Sequence, residues 1–205
     1  MNMDNPIIGV CGRAGAGKDT VCNMAVEILK THSIPAQRIA CADPIKEICE
    51  QVFGRAFSVS ASAFWGSQEE KNAPLEAVPN WSGRKILQHI GTEGFRHIHP
   101  QVWSKYMYGR AVGLLEEDQL DAVFISDIRM LPEAELIQDN GGIIVRVVRP
   151  SSDEGENQGL QGHATELEQT SIKEDFVINN EGRSLEELEV LVRHLLHELH
   201  FIGSE

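Results

Sequence analysis

Along this chain, short unbroken apolar runs alternate with longer stretches in which apolar residues recur every three or four positions. The first run, "PIIGVC" at residues 6–11, predicts a buried strand. After a glycine-rich loop, Val21, Met24, Ala25, Ile28 and Leu29 fall at i, i+3, i+4, i+7 and i+8. That spacing predicts one apolar face of a helix starting near Lys18. "RIACAD" reads as a second strand, and Pro44 can open the helix after it. Residues 53–79 are turn-rich with no clear period, whereas "SGRKILQHIGTEGFRHIH" and "PQVWSKYMYGRAVGLLEE" look largely helical.

Strand character returns in "DAVFISD", ending at Asp127, and in "GIIVRVVRP" after Gly141 and Gly142. Between them, "LPEAELIQDN" predicts a helix with proline near its start and glycine just beyond its end. Residues 150–162 are polar and glycine-rich and predict a loop, and "EDFVINN" predicts a short last strand. Ser184 and Glu187 then form a capping box ahead of Leu185, Leu188, Leu191, Leu195 and Leu199. Strands alternating with helices imply an α/β fold, a parallel sheet covered on both faces. With no internal repeat and no linker, one domain over residues 1–205 with insertions is expected.

Composition changes this picture little, but charge narrows the ligand. The 205 residues are 41% hydrophobic and 24% charged, as in ordinary globular chains, with a net charge of -13. Such a surface repels a nucleic-acid backbone, so a long polyanion is not the expected partner; a small phosphorylated ligand can still bind where positive charge is focused. No apolar stretch reaches the roughly 18 residues of a membrane span. "MNMDNPIIGVCG" lacks a basic, then apolar, export signal, so a cytoplasmic location is expected. Cys11, Cys22, Cys41 and Cys49 lie in apolar segments and read as buried thiols. His194, His197 and His200 read as surface or packing residues.

Gly12, Gly17 and Lys18 satisfy G-x-x-x-x-G-K. Glycines there let successive backbone N–H groups turn inward around an anion, and the following helix adds its positive end. Lys18 would reach the β and γ phosphates of a nucleotide. Asp19 departs from the usual Ser or Thr, with Thr20 one position later. Its carboxylate either acts near a metal through water or favours the helix N-terminus. Arg13 either touches phosphate or faces solvent.

Ligands of parallel sheets gather at the carboxyl ends of strands. Asp127, after mostly apolar residues, has the form of an aspartate that holds magnesium through water; a cap is the alternative. Asp43 precedes a proline-started helix, so capping competes there more strongly. Arg129 lies two residues past Asp127, and Arg149 ends the "GIIVRVVR" strand. Fixed arginines at such places stabilise the charge that develops on a transferring phosphoryl group.

Taken in order, "GRAGAGKDT", "CADPIKE", "LQHIGTEGFRHIHPQVW", "ISDIRMLPEAELIQDNGG", "HATELE" and "VINNEGRSLEEL" resemble the deoxynucleoside monophosphate kinases of tailed phages, among the nucleoside-monophosphate-kinase-like P-loop proteins. The resemblance covers most of the chain, and the aspartate of "GKDT" is typical of that group. It implies a three-layer α/β/α fold with five parallel strands, a monophosphate-binding insertion at about 43–110 and a small lid at about 150–166. It also implies Mg2+-dependent transfer of the ATP γ-phosphate to a deoxynucleoside monophosphate.

By position, Gly12, Arg13, Ala14, Gly15, Ala16, Gly17, Lys18, Asp19 and Thr20 would bind ATP, with Asn179 and Asn180 near the adenine. Asp43, Lys46, Trp81, Arg84, Glu93, Arg96 and Trp103 would shape the acceptor site. Arg129 would contact phosphate, and His163 and Glu166 would serve the lid. Residues 150–182 contain no arginine, unlike adenylate-kinase-like lids, which leaves the catalytic load on Lys18, Arg129 and Arg149. Thr20, and Asp127 through water, would hold the metal.

A monophosphate acceptor, with a second pKa of about 6, is mostly dianionic at pH 7 and needs no general base. No isolated His-Asp or Ser-His constellation stands out in the chain. A dephospho-coenzyme-A kinase, needing a base such as Asp43, and a non-catalytic nucleotide switch are the rival readings. Both monomer and homodimer stay open.

Overall fold

The computed structural model describes residues 6–149 and 171–203. The first predicted strand forms as β1 (Ile7–Cys11), buried along its whole length. Helix α1 (Lys18–Thr31) starts where expected and buries Val21, Cys22, Ala25, Ile28 and Leu29. Cys22 takes the core place expected of Met24, which packs only partly buried beside it. Strand β2 (Ala36–Ile39) lies earlier than "RIACAD". Its parallel pairing ends with Ile39 opposite Ile125, and the chain then leaves the sheet before reaching Asp43.

The chain divides into two compact units, one of Met1–Cys41 with Ser104–Glu205 and one of Ala42–Trp103. The second holds α2 (Asp43–Phe57), α3 (Ser62–Trp65) and α4 (Gln68–Asn72). An antiparallel hairpin of β3 (Pro74–Leu75) and β4 (Val78–Ser82) follows. Then come α5 (Gly83–Gln88) and a π-helical segment, His89–Arg96. Cys49, Ala63, Phe64, Leu75 and Ile86 form this unit's core. The region that looks turn-rich in sequence is thus a set of elements too short to show a period. The unit ends inside α6 (Val102–Glu116), whose Met107 and Ala111 belong to the core of the sheet.

The first unit continues with β5 (Ala122–Ile128), α7 (Leu131–Asp139) and β6 (Ile143–Val148), and ends with β7 (Phe176–Asn179) and α8 (Leu185–Glu198). Its five strands are ordered β2-β5-β1-β6-β7, and every neighbouring pair is parallel. Side chains alternate across the pleat. Ile8, Val10, Phe124, Val145 and Val147 share a core with α1 and α8. Ile7, Cys11, Val123, Ile125 and Ile144 share another with α6 and α7. The result is the three-layer α/β/α fold. The Ser184–Glu187 capping box opens α8, and Leu188, Leu195 and Leu199 are buried as expected, joined by Val192 and Leu196, whereas Leu185 is 64% exposed. No helix among the described residues is long and apolar enough to cross a membrane.

Candidate functional site

Because the five strands of this sheet run parallel, the loop after β1 opens on the same edge of the sheet as the carboxyl ends of β2, β5, β6 and β7. The loop's glycines are required there. Gly12 has φ of 140° and a Cβ on it would overlap the Val147 carbonyl oxygen. Gly17 has φ of 99°, and a Cβ on it would lie 2.6 Å from Asn180 Nδ2. Between them Ala14 and Gly15 are exposed, and Ala16 is buried, its N–H donating to the Arg13 carbonyl at 3.2 Å. Asn180 Nδ2 donates to the Ala16 carbonyl at 2.9 Å, which ties the end of β7 to the loop. Asn179 instead accepts from the Glu181 N–H at 3.0 Å.

Lys18 folds back over the loop, its Nζ donating to the carbonyls of Gly12 and Arg13, each at 2.8 Å. Burial lowers its pKa below the usual lysine value, and Arg129 adds to the effect; Asp127 and Asp19 oppose it.

Asp127 stands near the end of β5, one oxygen accepting from the Cys41 N–H at 2.5 Å. Arg129 follows, exposed; among the described residues its guanidinium has no hydrogen-bond or ion-pair partner. The turn that carries it is fixed from below. The buried Glu133 carboxylate accepts from the N–H groups of Arg129 and Met130 at 2.9 and 3.0 Å. Arg149 is exposed just past β6, while Arg146 inside the strand is bound to Glu174 and the Ile172 carbonyl. Thr20 is exposed on the first turn of α1. Asp19, beside it, accepts from Arg38 Nη1 at 3.0 Å and from Ser126 Oγ at 2.7 Å.

The proposed acceptor residues all lie in the second unit, Trp103 at its last position. Asp43 is the first residue of α2 and not a strand end, and its carboxylate binds Lys46 Nζ at 2.9 Å. Lys46 also lies 4.7 Å from the centre of the Trp65 ring, whose indole N–H donates to Glu50. Trp81 is 38% exposed and meets His89 edge-on at 5.3 Å, and His89 pairs with Glu93 at 2.6 Å. Arg84 donates to Gln68, and Arg96 closes the π-helical segment.

Trp103 is set apart from the other candidates: it is 4% exposed, donates its indole N–H to the Gly91 carbonyl at 2.9 Å and meets Phe95 at 4.9 Å with the ring planes tilted by 59°. His163 and Glu166 lie outside the described residues.

Sequence reasoning missed Arg38, Ser126, Glu133 and Trp65. Glu133 carried a signal, standing just after the proline that opens α7. Arg38 and Ser126 are brought to the loop only by sheet pairing.

A parallel sheet that delivers a G-x-x-x-x-G-K loop into a helix N-terminus, its lysine folded over the loop, is a nucleotide-binding P-loop fold. The profile of the family described as deoxynucleotide monophosphate kinase matches residues 55–192, and the chain belongs to this family; it is a nucleotide kinase. That match does not include residues 12–20, so it is independent of the loop. The chain is 26% identical over 189 residues to a protein of Acanthamoeba polyphaga mimivirus provisionally named a deoxynucleotide monophosphate kinase, with 88% of this chain and 91% of that protein covered. Among solved structures, it is similar to shikimate kinase from Bacteroides thetaiotaomicron at 14% identity and a TM-score of 0.49, over 95% of this chain and 98% of that one. It is also similar to APS kinase CysC from Mycobacterium tuberculosis in complex with AMPPNP and APS, at 16% identity and a TM-score of 0.45, over 94% and 98%.

Proposed function

We propose that this kinase phosphorylates deoxynucleoside monophosphates to diphosphates by direct in-line transfer of the γ-phosphoryl group of ATP, with Mg2+. The observation that carries the reading is Lys18 held across the loop by two carbonyls, with Arg129 just past β5 presented without a partner among the described residues. In the transfer, an oxygen of the acceptor phosphate bonds to the γ phosphorus as the bond to the β–γ bridging oxygen breaks, and ADP leaves with that electron pair. The loop amides and Lys18 bind the triphosphate, and Arg129 and Arg149 stabilise charge on the moving group. The acceptor is already a dianion, so no residue has to remove a proton.

The oxygen donors at the site suit Mg2+, which takes one or two carboxylates and draws its other ligands from water and phosphate. Asp127, its carboxylate fixed by the Cys41 amide, would hold the ion through water, with the Thr20 hydroxyl as the second group. When bound, the ion would neutralise the β and γ oxygens. Acceptor binding belongs to the second unit, with Trp81 offering a flat face and Lys46, Arg84 and Arg96 positive charge.

The test is ADP release with Mg-ATP across the common deoxynucleoside and ribonucleoside monophosphates, with dephospho-coenzyme A and an acceptor-free control beside them. Turnover with one or more deoxynucleoside monophosphates is expected. Turnover with dephospho-coenzyme A alone, or an acceptor-free rate equal to the rest, would overturn the reading.

A further inference from the structure

We propose that Arg38 is a positioning residue for nucleotide binding, acting through Asp19 to keep a carboxylate from opposing the triphosphate. Asp19 follows the loop lysine, where the general pattern has a hydroxyl. A carboxylate on the first turn suits the helix dipole, but it also brings negative charge to the site where a polyphosphate is to bind. Arg38 reaches it from β2. Arg38 Nη1 donates to Asp19 Oδ1 at 3.0 Å and to Ser126 Oγ at 2.9 Å, while the Ser126 hydroxyl donates to the same Asp19 oxygen at 2.7 Å.

Ser126 is fully buried, and its hydroxyl both accepts, from Arg38, and donates, to Asp19. Three elements, α1, β2 and β5, therefore meet in one closed triangle beside the loop. The charge of Asp19 is offset by Arg38, and its direction is set by Ser126. A cation at position 38 is what allows an aspartate at position 19.

The inference rests on the loop binding a nucleoside triphosphate, and the experiment separates the two. ATP and ADP affinities of the full chain are measured by calorimetry for the wild type, Arg38→Gln, Asp19→Asn and the double variant, with thermal unfolding alongside. Arg38→Gln should weaken ATP binding about tenfold, equivalent to about 1.4 kcal/mol, and ADP binding less, since ADP carries less charge. The acceptor KM should stay at the wild-type value. Adding Asp19→Asn should restore ATP affinity to within about threefold, a non-additivity expected of groups in direct contact.

Losses that add without rescue, or Arg38→Gln binding like wild type, would overturn the proposal. Should Arg38→Gln fail to fold, Asp19→Asn alone decides: it should bind ATP at least as tightly as wild type, and tenfold weaker binding would overturn it. A wild type that binds no ATP would sink the nucleotide reading instead.

Discussion

Lys18 is held by its own loop, and that arrangement decides what its loss should do. Its ammonium bridges the Gly12 and Arg13 carbonyls, each at 2.8 Å, so it braces the loop, and in the proposed reaction it would also meet phosphate. Lys18→Ala should leave the protein folded, since the glycines and the Asn180 tether still shape the loop, but abolish phosphoryl transfer. A circular-dichroism melt beside an ADP-release assay checks both halves; wild-type-like turnover in a folded variant would remove Lys18 from the mechanism. Arg129 is different, because no other described residue occupies its guanidinium and Glu133 holds only its backbone. Arg129→Ala should therefore cost little stability and cut kcat by about a hundredfold or more, as for one lost contact to transition-state charge. A fall of twofold or less would make Arg129 an ordinary surface residue.

At the scale of elements, the two tryptophans proposed for the acceptor separate. Trp103 packs at the start of α6 against Phe95, with its N–H on the Gly91 carbonyl, inside the stretch that holds the π-helical segment. Trp103→Phe would leave that carbonyl short of its donor and should destabilise the fold by about 1–3 kcal/mol. Trp81→Ala should instead raise the acceptor KM and leave the unfolding midpoint close to wild type. Denaturation curves read beside acceptor titrations tell the two apart; an exchanged pattern would return Trp103 to the acceptor site.

Periodicity could not anticipate this stretch. "SGRKILQHIGTEGFRHIH" does read as helical, but a shift to π geometry at His89 moves every later side chain around the axis, and apolar spacing does not record it. In α8 the leucine spacing does mark the core face, since Leu188, Leu195 and Leu199 are buried beside Val192 and Leu196; only Leu185, in the first turn, stays outside.

For the whole molecule, the three layers were legible because a parallel sheet buried on both faces needs unbroken apolar strands, and "PIIGVC" and "GIIVRVV" are such strands. Contacts that cross the sheet at long range, Arg38 to Asp19 above all, left no local pattern and were not legible. The buried thiols were legible, and they make a prediction about stability at alkaline pH.

Burial raises the pKa of Cys22 well above the usual thiol range, that of Cys49 to about 11, and that of Cys11 as well. In the unfolded chain each thiol titrates near about 8.5. Below that pH both states keep the proton and the thiols' contribution is fully present. Above it the unfolded chain loses protons that the folded chain retains, so stability falls as pH rises, until the folded thiols also ionise. The slope per thiol is at most about 1.4 kcal/mol per pH unit.

Urea midpoints measured from pH 7 to 10 should be level to about pH 8 and then decline. Cys22→Ala, which leaves a cavity but removes one titrating group, should lower the midpoint at pH 7 and make the decline above pH 8.5 shallower. Equal slopes in the two proteins would mean that Cys22 ionises alike folded and unfolded, and that the α1 face of the sheet admits solvent.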